Sequence, residues 1–302
     1  ERREFERALE SFAIAIDGKP RVDTHFGRGV ARMETGDIEG AVSDFEEALQ
    51  ISPDYAGTYV NLGIAQTRGG DDEQALTSYA TALELDPLEK TAFYNRSLIY
   101  RRQGLHDEAI EDLTELIRIS SYSAASYVDR CIAYYDMSNN LGALSDCDTA
   151  LSIDDTVLRA HGIRGLVFSR MGDYSAAISE FDAEIEVRPD HPAAYRERGL
   201  VYVETGDLEK ALADADTALG LDELFAEAYV DRGNILRRKG ETLQALADFS
   251  TAIELEPSDA NAYRDRGELY REMGDTDKAE ADFVMALTLD SSDGVASAQP
   301  VQ

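Results

Sequence analysis

Between Val22 and Asp293 the chain repeats one pattern eight times at a spacing of 34 residues, with no insertion or deletion. The repeats start at Val22, Ala56, Lys90, Ala124, Leu158, Pro192, Ala226 and Ala260. Positions within each are numbered here as phases 1 to 34. An aromatic or His fills phase 4 (His25, Tyr59, Phe93, Tyr127, His161, Tyr195, Tyr229, Tyr263). Phase 8 is small, phase 15 is Gly except at Ser138, and phase 20 is always Ala, from Ala41 to Ala279. Such a period means stacked copies of one small unit rather than an ordinary globular core.

Phases 4, 7, 8 and 11 share one face of a helix, as do phases 20, 24, 27 and 28. Gly at phase 15, usually followed by Asp, breaks the chain between them. Each unit is thus two antiparallel helices, A and B, joined by a tight turn. Pro at phase 32 (Pro53, Pro87, Pro189, Pro257) ends helix B. One such pair cannot bury its apolar faces alone, so neighbouring pairs must stack.

The run Tyr59-Val60-Asn61-Leu62-Gly63-Ile64-Ala65-Gln66, followed by Ala75, Tyr79, Ala82 and Pro87, resembles the tetratricopeptide repeat family. The resemblance covers 272 of 302 residues. It implies an all-α, right-handed superhelical solenoid whose concave groove is lined by phases 2, 5, 6, 9, 12 and 13 and takes up a protein or peptide. Residues 1–21, with Ala8, Phe12, Ala15 and Pro20, read as a lone helix B of a truncated repeat. Residues 22–293 form the array, and 294–302 read as a disordered tail. Helix B of the last repeat carries Phe283, Met285, Ala286, Leu287 and Leu289 with no successor to cover them, so the parent chain is expected to continue there, or that end to join a partner or another copy of itself.

The net charge of −31 argues against nucleic-acid binding, which needs a basic surface. Arg outnumbers Lys 24 to 5, and the acidity fits either a high-salt source or a face that keeps an elongated protein soluble. No run of 18 apolar residues suggests membrane insertion, and the expected location is the cytoplasm. Cys131 and Cys147 fall at interior phases 8 and 24 of repeat 4 and are expected to be packed free thiols. No Cys/His spacing suggests a metal site. No metal and no cofactor is expected.

Seven repeats place Arg at phase 7 (Arg28, Arg96, Arg130, Arg164, Arg198, Arg232, Arg266). The same seven place an acid at phase 23 (Asp44, Asp112, Asp146, Glu180, Asp214, Asp248, Asp282). The exception has Leu62 with Ser78, so the two phases switch together. Pairing with the preceding repeat would fail at Arg28 and Arg96. The co-variation predicts an Arg–carboxylate bridge between helices A and B of one repeat.

The 48 groove positions hold ten arginines and eleven acids, a net of −1 against −31 overall. Repeats 2 and 3 supply Val60, Asn61, Ile64, Arg68, Tyr94, Asn95, Leu98, Arg101 and Arg102, with no acid at those phases. These nine are the candidate peptide-binding residues. An Asn amide both donates and accepts, so Asn61 and Asn95 can read a peptide backbone. The arginines can hold acidic side chains or a C-terminal carboxylate. Further on, phase 6 becomes Asp129, Ile163, Glu197, Asp231 and Asp265, so a partner spanning the groove should be acidic at one end and basic at the other. The carboxylate clamp of heat-shock co-chaperones is not reproduced, since the Lys/Asn pair on one helix is missing. The Asn ladder of glycosyltransferase repeat domains is only begun.

No nucleophile, base and orienter recur together, and no glycine-rich phosphate loop is present. His25 and His161 fill the aromatic slot, His106 lies in a turn and His191 at a junction. The chain reads as a non-catalytic scaffold or adaptor. The alternatives are a substrate-presenting domain of a larger enzyme, such as a glycosyltransferase, and a self-assembling structural array.

Overall fold

A computed structural model of the chain describes residues 21–120 and 123–296, with side chains as far as Ser291, and the helical positions Glu6, Leu9, Ser11, Phe12, Ile14 and Ala15. Most of the lone helix expected over residues 1–21, including Ala8 and Pro20, lies outside the described residues, as does the tail beyond residue 296.

From Val22 onward the described residues form sixteen helices and no strand. In the first four repeats these are α1 (Val22–Thr35), α2 (Ile38–Ile51), α3 (Ala56–Arg68), α4 (Asp72–Leu85), α5 (Lys90–Arg102), α6 (His106–Ile119), α7 (Ala124–Asp136) and α8 (Asn140–Ile153). The last four supply α9 (Ala160–Met171), α10 (Tyr174–Val187), α11 (Pro192–Thr205), α12 (Leu208–Leu221), α13 (Ala226–Lys239), α14 (Thr242–Leu255), α15 (Ala260–Glu272) and α16 (Thr276–Ala296). The chain divides into two compact units, residues 1–157 and 158–302. Within each, every helix A packs on the helix B of its own repeat, and every helix B on the helix A that follows.

The turn chemistry is local. Phase 15 has φ between 62° and 91° in all eight repeats, Ser138 included. That left-handed conformation lets the chain reverse at the end of helix A, and Gly adopts it without a steric penalty. The next residue then caps helix B: the side chains of Asp37, Asp71, Asn139, Asp173 and Asp207 each accept a hydrogen bond from a backbone N–H three residues on.

Phases 8 and 24 bring helices A and B into contact. A Cβ added to Gly29, Gly63, Gly165, Gly233 or Gly267 would lie 2.6–2.9 Å from the ring of Phe45, Tyr79, Phe181, Phe249 or Phe283. Repeat 4 puts Cys at both phases, and here the sequence expectation fails. Cys131 and Cys147 are buried but bonded to each other as a disulfide, with Cα atoms 5.5 Å apart. The cause is geometric. Residues that elsewhere meet as glycine against a ring meet here as two thiols within bonding reach.

Candidate functional site

The predicted clasp is present in all seven repeats. Arg232 Nε and Nη2 each donate to one oxygen of Asp248 at 2.8 Å. Equivalent paired hydrogen bonds join Arg28 to Asp44, Arg96 to Asp112, Arg130 to Asp146, Arg198 to Asp214 and Arg266 to Asp282. Arg164 Nη2 lies 3.0 Å from Glu180. The aspartates are buried, and in Arg96, Arg130, Arg198 and Arg266 the guanidinium is flanked by the aromatic residues of phases 4 and 11, as where Arg198 lies 5.7 and 6.0 Å from the rings of Tyr195 and Tyr202. The hydrogen bonds they donate to Asp214 and Asp248 hold Arg198 and Arg232 far above the ordinary arginine value. In repeat 2 a neutral pair takes over: Ser78 Oγ donates to Gln66 Oε1 at 2.7 Å. These arginines belong to the scaffold.

One partner of the clasp was not foreseen. The remaining terminal nitrogen reaches back to phase 25 of the preceding repeat, from Arg130 to Thr114 at 3.0 Å, Arg232 to Asp216 at 2.8 Å and Arg266 to Ser250 at 3.3 Å. Arg198 does the same with Asp182. Each of these four guanidinium groups therefore ties two repeats as well as two helices. Thr, Ser or Asp at phase 25 is the sequence signal.

His25 and His161 occupy their expected slots. His25 is buried with Nδ1 2.9 Å from Glu47 and 3.7 Å from Asp44. His161 Nδ1 lies 2.8 Å from Glu180. His25, Asp44 and Glu47 are close enough to share a metal ion. The carboxylate of Asp44, however, already accepts from Arg28 and Arg32, and two guanidinium charges oppose a cation there.

The nine candidate groove residues lie on α3 and α5. Val60 does not reach the surface: it is 5% exposed and packs with Ala75, Tyr79, Ala82, Ala92 and Ile99. Ile64 packs against the same cluster, and Leu98 is half-buried. Asn61 and Asn95 each commit one amide N–H to their own helix, donating to Gly57 O at 2.8 Å and Thr91 O at 2.9 Å. Tyr94, Arg68 and Arg102 are exposed.

The arginines already have carboxylate neighbours. Arg101 Nη2 donates to Asp136 at 2.8 Å, Arg102 pairs with Asp72, and Arg68 lies 3.5 Å from Glu34. These acids come from adjacent repeats. In the second unit Arg237 likewise donates to Glu272 at 2.5 Å, and Arg196 lies 2.6 Å from Asp231. Burial pushes Glu197, Asp231 and Asp265, the phase-6 acids of this unit, above the usual carboxylate range. No helix among the described residues is long and apolar enough to cross a membrane.

Tetratricopeptide repeat models match residues 60–124, 164–224 and 260–293, and a further TPR repeat model matches residues 29–69 and 233–274. The chain belongs to the tetratricopeptide repeat family. No curated protein matches the sequence. A tetratricopeptide repeat protein of Parabacteroides merdae superposes with a TM-score of 0.69 at 24% identity, covering 82% of this chain and 98% of that one. The C-terminal part of a TPR repeat-containing protein from Cytophaga hutchinsonii gives 0.62 at 18% identity over 76% of this chain and 94% of its own. The Cut9–Hcn1 hetero-tetramer of the APC/C gives 0.63 at 16% identity, covering 89% of this chain and 53% of that one. At such identities these likenesses establish the fold alone. That fold is a general scaffold for protein–protein interaction.

Proposed function

We propose that the chain is a non-catalytic adaptor that holds an extended segment of a partner protein against the outward faces of its A helices. The observation that carries this reading is the face of α3 and α5. Exposed Arg68, Tyr94 and Arg102 stand there beside Asn61 and Asn95, and the surface carries no acid of its own at the groove phases. Each amide retains an oxygen and a second N–H for a peptide main chain. An acidic side chain or C-terminal carboxylate of the partner would displace Glu34, Asp72 or Asp136 from the arginines, exchanges that cost little at exposed sites. Taken by itself, the second unit presents the acids Glu197, Asp231 and Asp265 at the same phase, which suit a basic segment.

Affinity capture with the wild-type chain and with Arg68→Gln/Arg101→Gln/Arg102→Gln, compared by quantitative mass spectrometry, tests the assignment. The account predicts specific proteins depleted at least five-fold by the triple change while circular dichroism stays the same. Equal recovery would move the site elsewhere.

A further inference from the structure

Repeat 5 departs from the other seven at two positions that touch each other. Phase 27 is Ala in six repeats and Leu116 in a seventh, but Glu184 here. Phase 5 holds Phe, Val, Tyr or Arg elsewhere, but Gly162 here. Beside them lies a cavity of about 180 Å³ between α9, α10 and α11, where Gly162 leaves out the side chain that phase 5 carries in the other repeats. Its walls include Ile163, Leu166, Phe181 and Ala194. Exposed Arg159 also lines it and holds φ at 74°, one of two non-glycine residues in the left-handed region among the described residues. Arg159, Gly162, Ile163, Leu166 and Glu197 in its lining occupy the groove phases of their A helices.

Its most deeply buried charged group is the carboxylate of Glu184, 2% exposed, with Arg188, His191 and Glu197 also in the lining. Arg188 Nε donates to Oε1 at 2.9 Å, and Nη2 of the same residue also pairs with that oxygen. His191 Nδ1 accepts from Arg188 at 2.9 Å, and burial together with Arg188 holds this imidazole below the usual histidine value. Oε2 receives only the Gly162 N–H, at 3.3 Å. A Cβ on Gly162 would lie 3.6–3.8 Å from the carboxyl group, so the missing side chain keeps that oxygen open to the cavity.

A cation or metal ion would meet Arg188 at once, and the Glu184–Arg188 pair is already electrically balanced. A neutral group with one hydrogen-bond donor fits. Apolar cavities of about 150 Å³ accept a benzene ring, so this larger volume admits an aromatic side chain. We propose that this cavity is the socket for a partner's tyrosine or tryptophan side chain, whose phenol O–H or indole N–H donates to Glu184 Oε2. Buried aromatic anchors of this kind dominate peptide interfaces. The proposal rests on the groove-binding reading, and its test does not need the partner.

The probes are p-cresol and indole, which carry the donor, and toluene, which lacks it. Binding is followed by chemical-shift changes of the Gly162 and Leu166 amides. We expect saturable binding of p-cresol and indole, at least five-fold tighter than toluene. Gly162→Val restores a residue common at phase 5 and should abolish binding of all three. Glu184→Ala restores the usual residue at phase 27 and should erase the preference for donors while toluene still binds. The double variant recreates the pattern of the other repeats and serves as the folded control. No binding to the wild type, binding unchanged by Gly162→Val, or toluene equal to p-cresol would each overturn the socket. A tryptophan-containing peptide can then be titrated by its own fluorescence, since the chain has no Trp. If the fragments bind and such peptides do not, the socket stands and the groove-binding reading fails.

Discussion

Asp248 takes hydrogen bonds on both carboxylate oxygens from Arg232 while only 6% exposed. Removing one member strands the other, so Asp248→Ala should cost roughly 3 kcal/mol of stability. Arg232→Ala/Asp248→Ala should cost clearly less than the two single changes added together, by about 1–3 kcal/mol in urea unfolding. Strict additivity would contradict the clasp. Glycines at one phase should behave differently according to what faces them. Gly63→Ala drives a methyl to 2.6 Å from the fully buried Tyr79 ring and should destabilise by about 1–3 kcal/mol. Gly199→Ala meets only contacts of 3.4 Å, because phase 24 is Ala215 there, and should gain about 0.5–1 kcal/mol from helix propensity. Equal effects on thermal stability would refute the phase-8 account. Burial raises the carboxyl of Asp265, outweighing its hydrogen bond with Asn234 and the charges of Arg237 and Arg264. A raised carboxyl contributes stability that is complete below its unfolded value, about 3.9, and is lost as pH rises through the folded value. Asp265→Asn should therefore look most favourable relative to wild type at pH 7 and lose that advantage as pH falls toward 4. A melting-temperature difference that stays flat with pH would count against this.

At the scale of the helix pair, much was legible in the sequence. The joint switch of phases 7 and 23 identified the clasp, because each pair lies 16 residues apart within one hairpin whose geometry the 34-residue period fixes. The disulfide obeys the same spacing and was misread, since burial alone does not distinguish a packed thiol from a bonded one. It replaces the ring that fills this space in repeats such as 5 and 7. Its loss should cost about 3 kcal/mol for a loop of this length, so reductant should lower the melting temperature of the wild type. Cys131→Gly/Cys147→Phe should recover part of that stability and no longer respond to reductant. A wild type insensitive to reductant would mean that packing, not the bond, holds repeat 4.

Across the whole molecule, the groove was less legible than the scaffold. Phase assignment put Arg68, Tyr94 and Arg102 on the surface correctly, yet it also placed Val60 there, at the edge where one repeat packs on the next. It counted no acid among the repeat 2 and 3 positions and so missed that Asp72 and Asp136 reach the arginines from other phases or repeats. Such contacts depend on how repeats stack, which a pattern written for one repeat does not contain. Glu184 and Gly162 were overlooked for a different reason: shared positions drew the reading, and the informative residues are the ones that break the pattern. The central claim is that the faces of α3 and α5 bind an extended peptide. The most direct measurement selects binders from a random peptide library on the wild-type chain, then titrates them against Arg68→Gln/Arg101→Gln/Arg102→Gln. The account predicts acidic peptides whose affinity falls at least ten-fold in the triple variant. Peptides that bind both forms equally, or no selectable peptide, would contradict it.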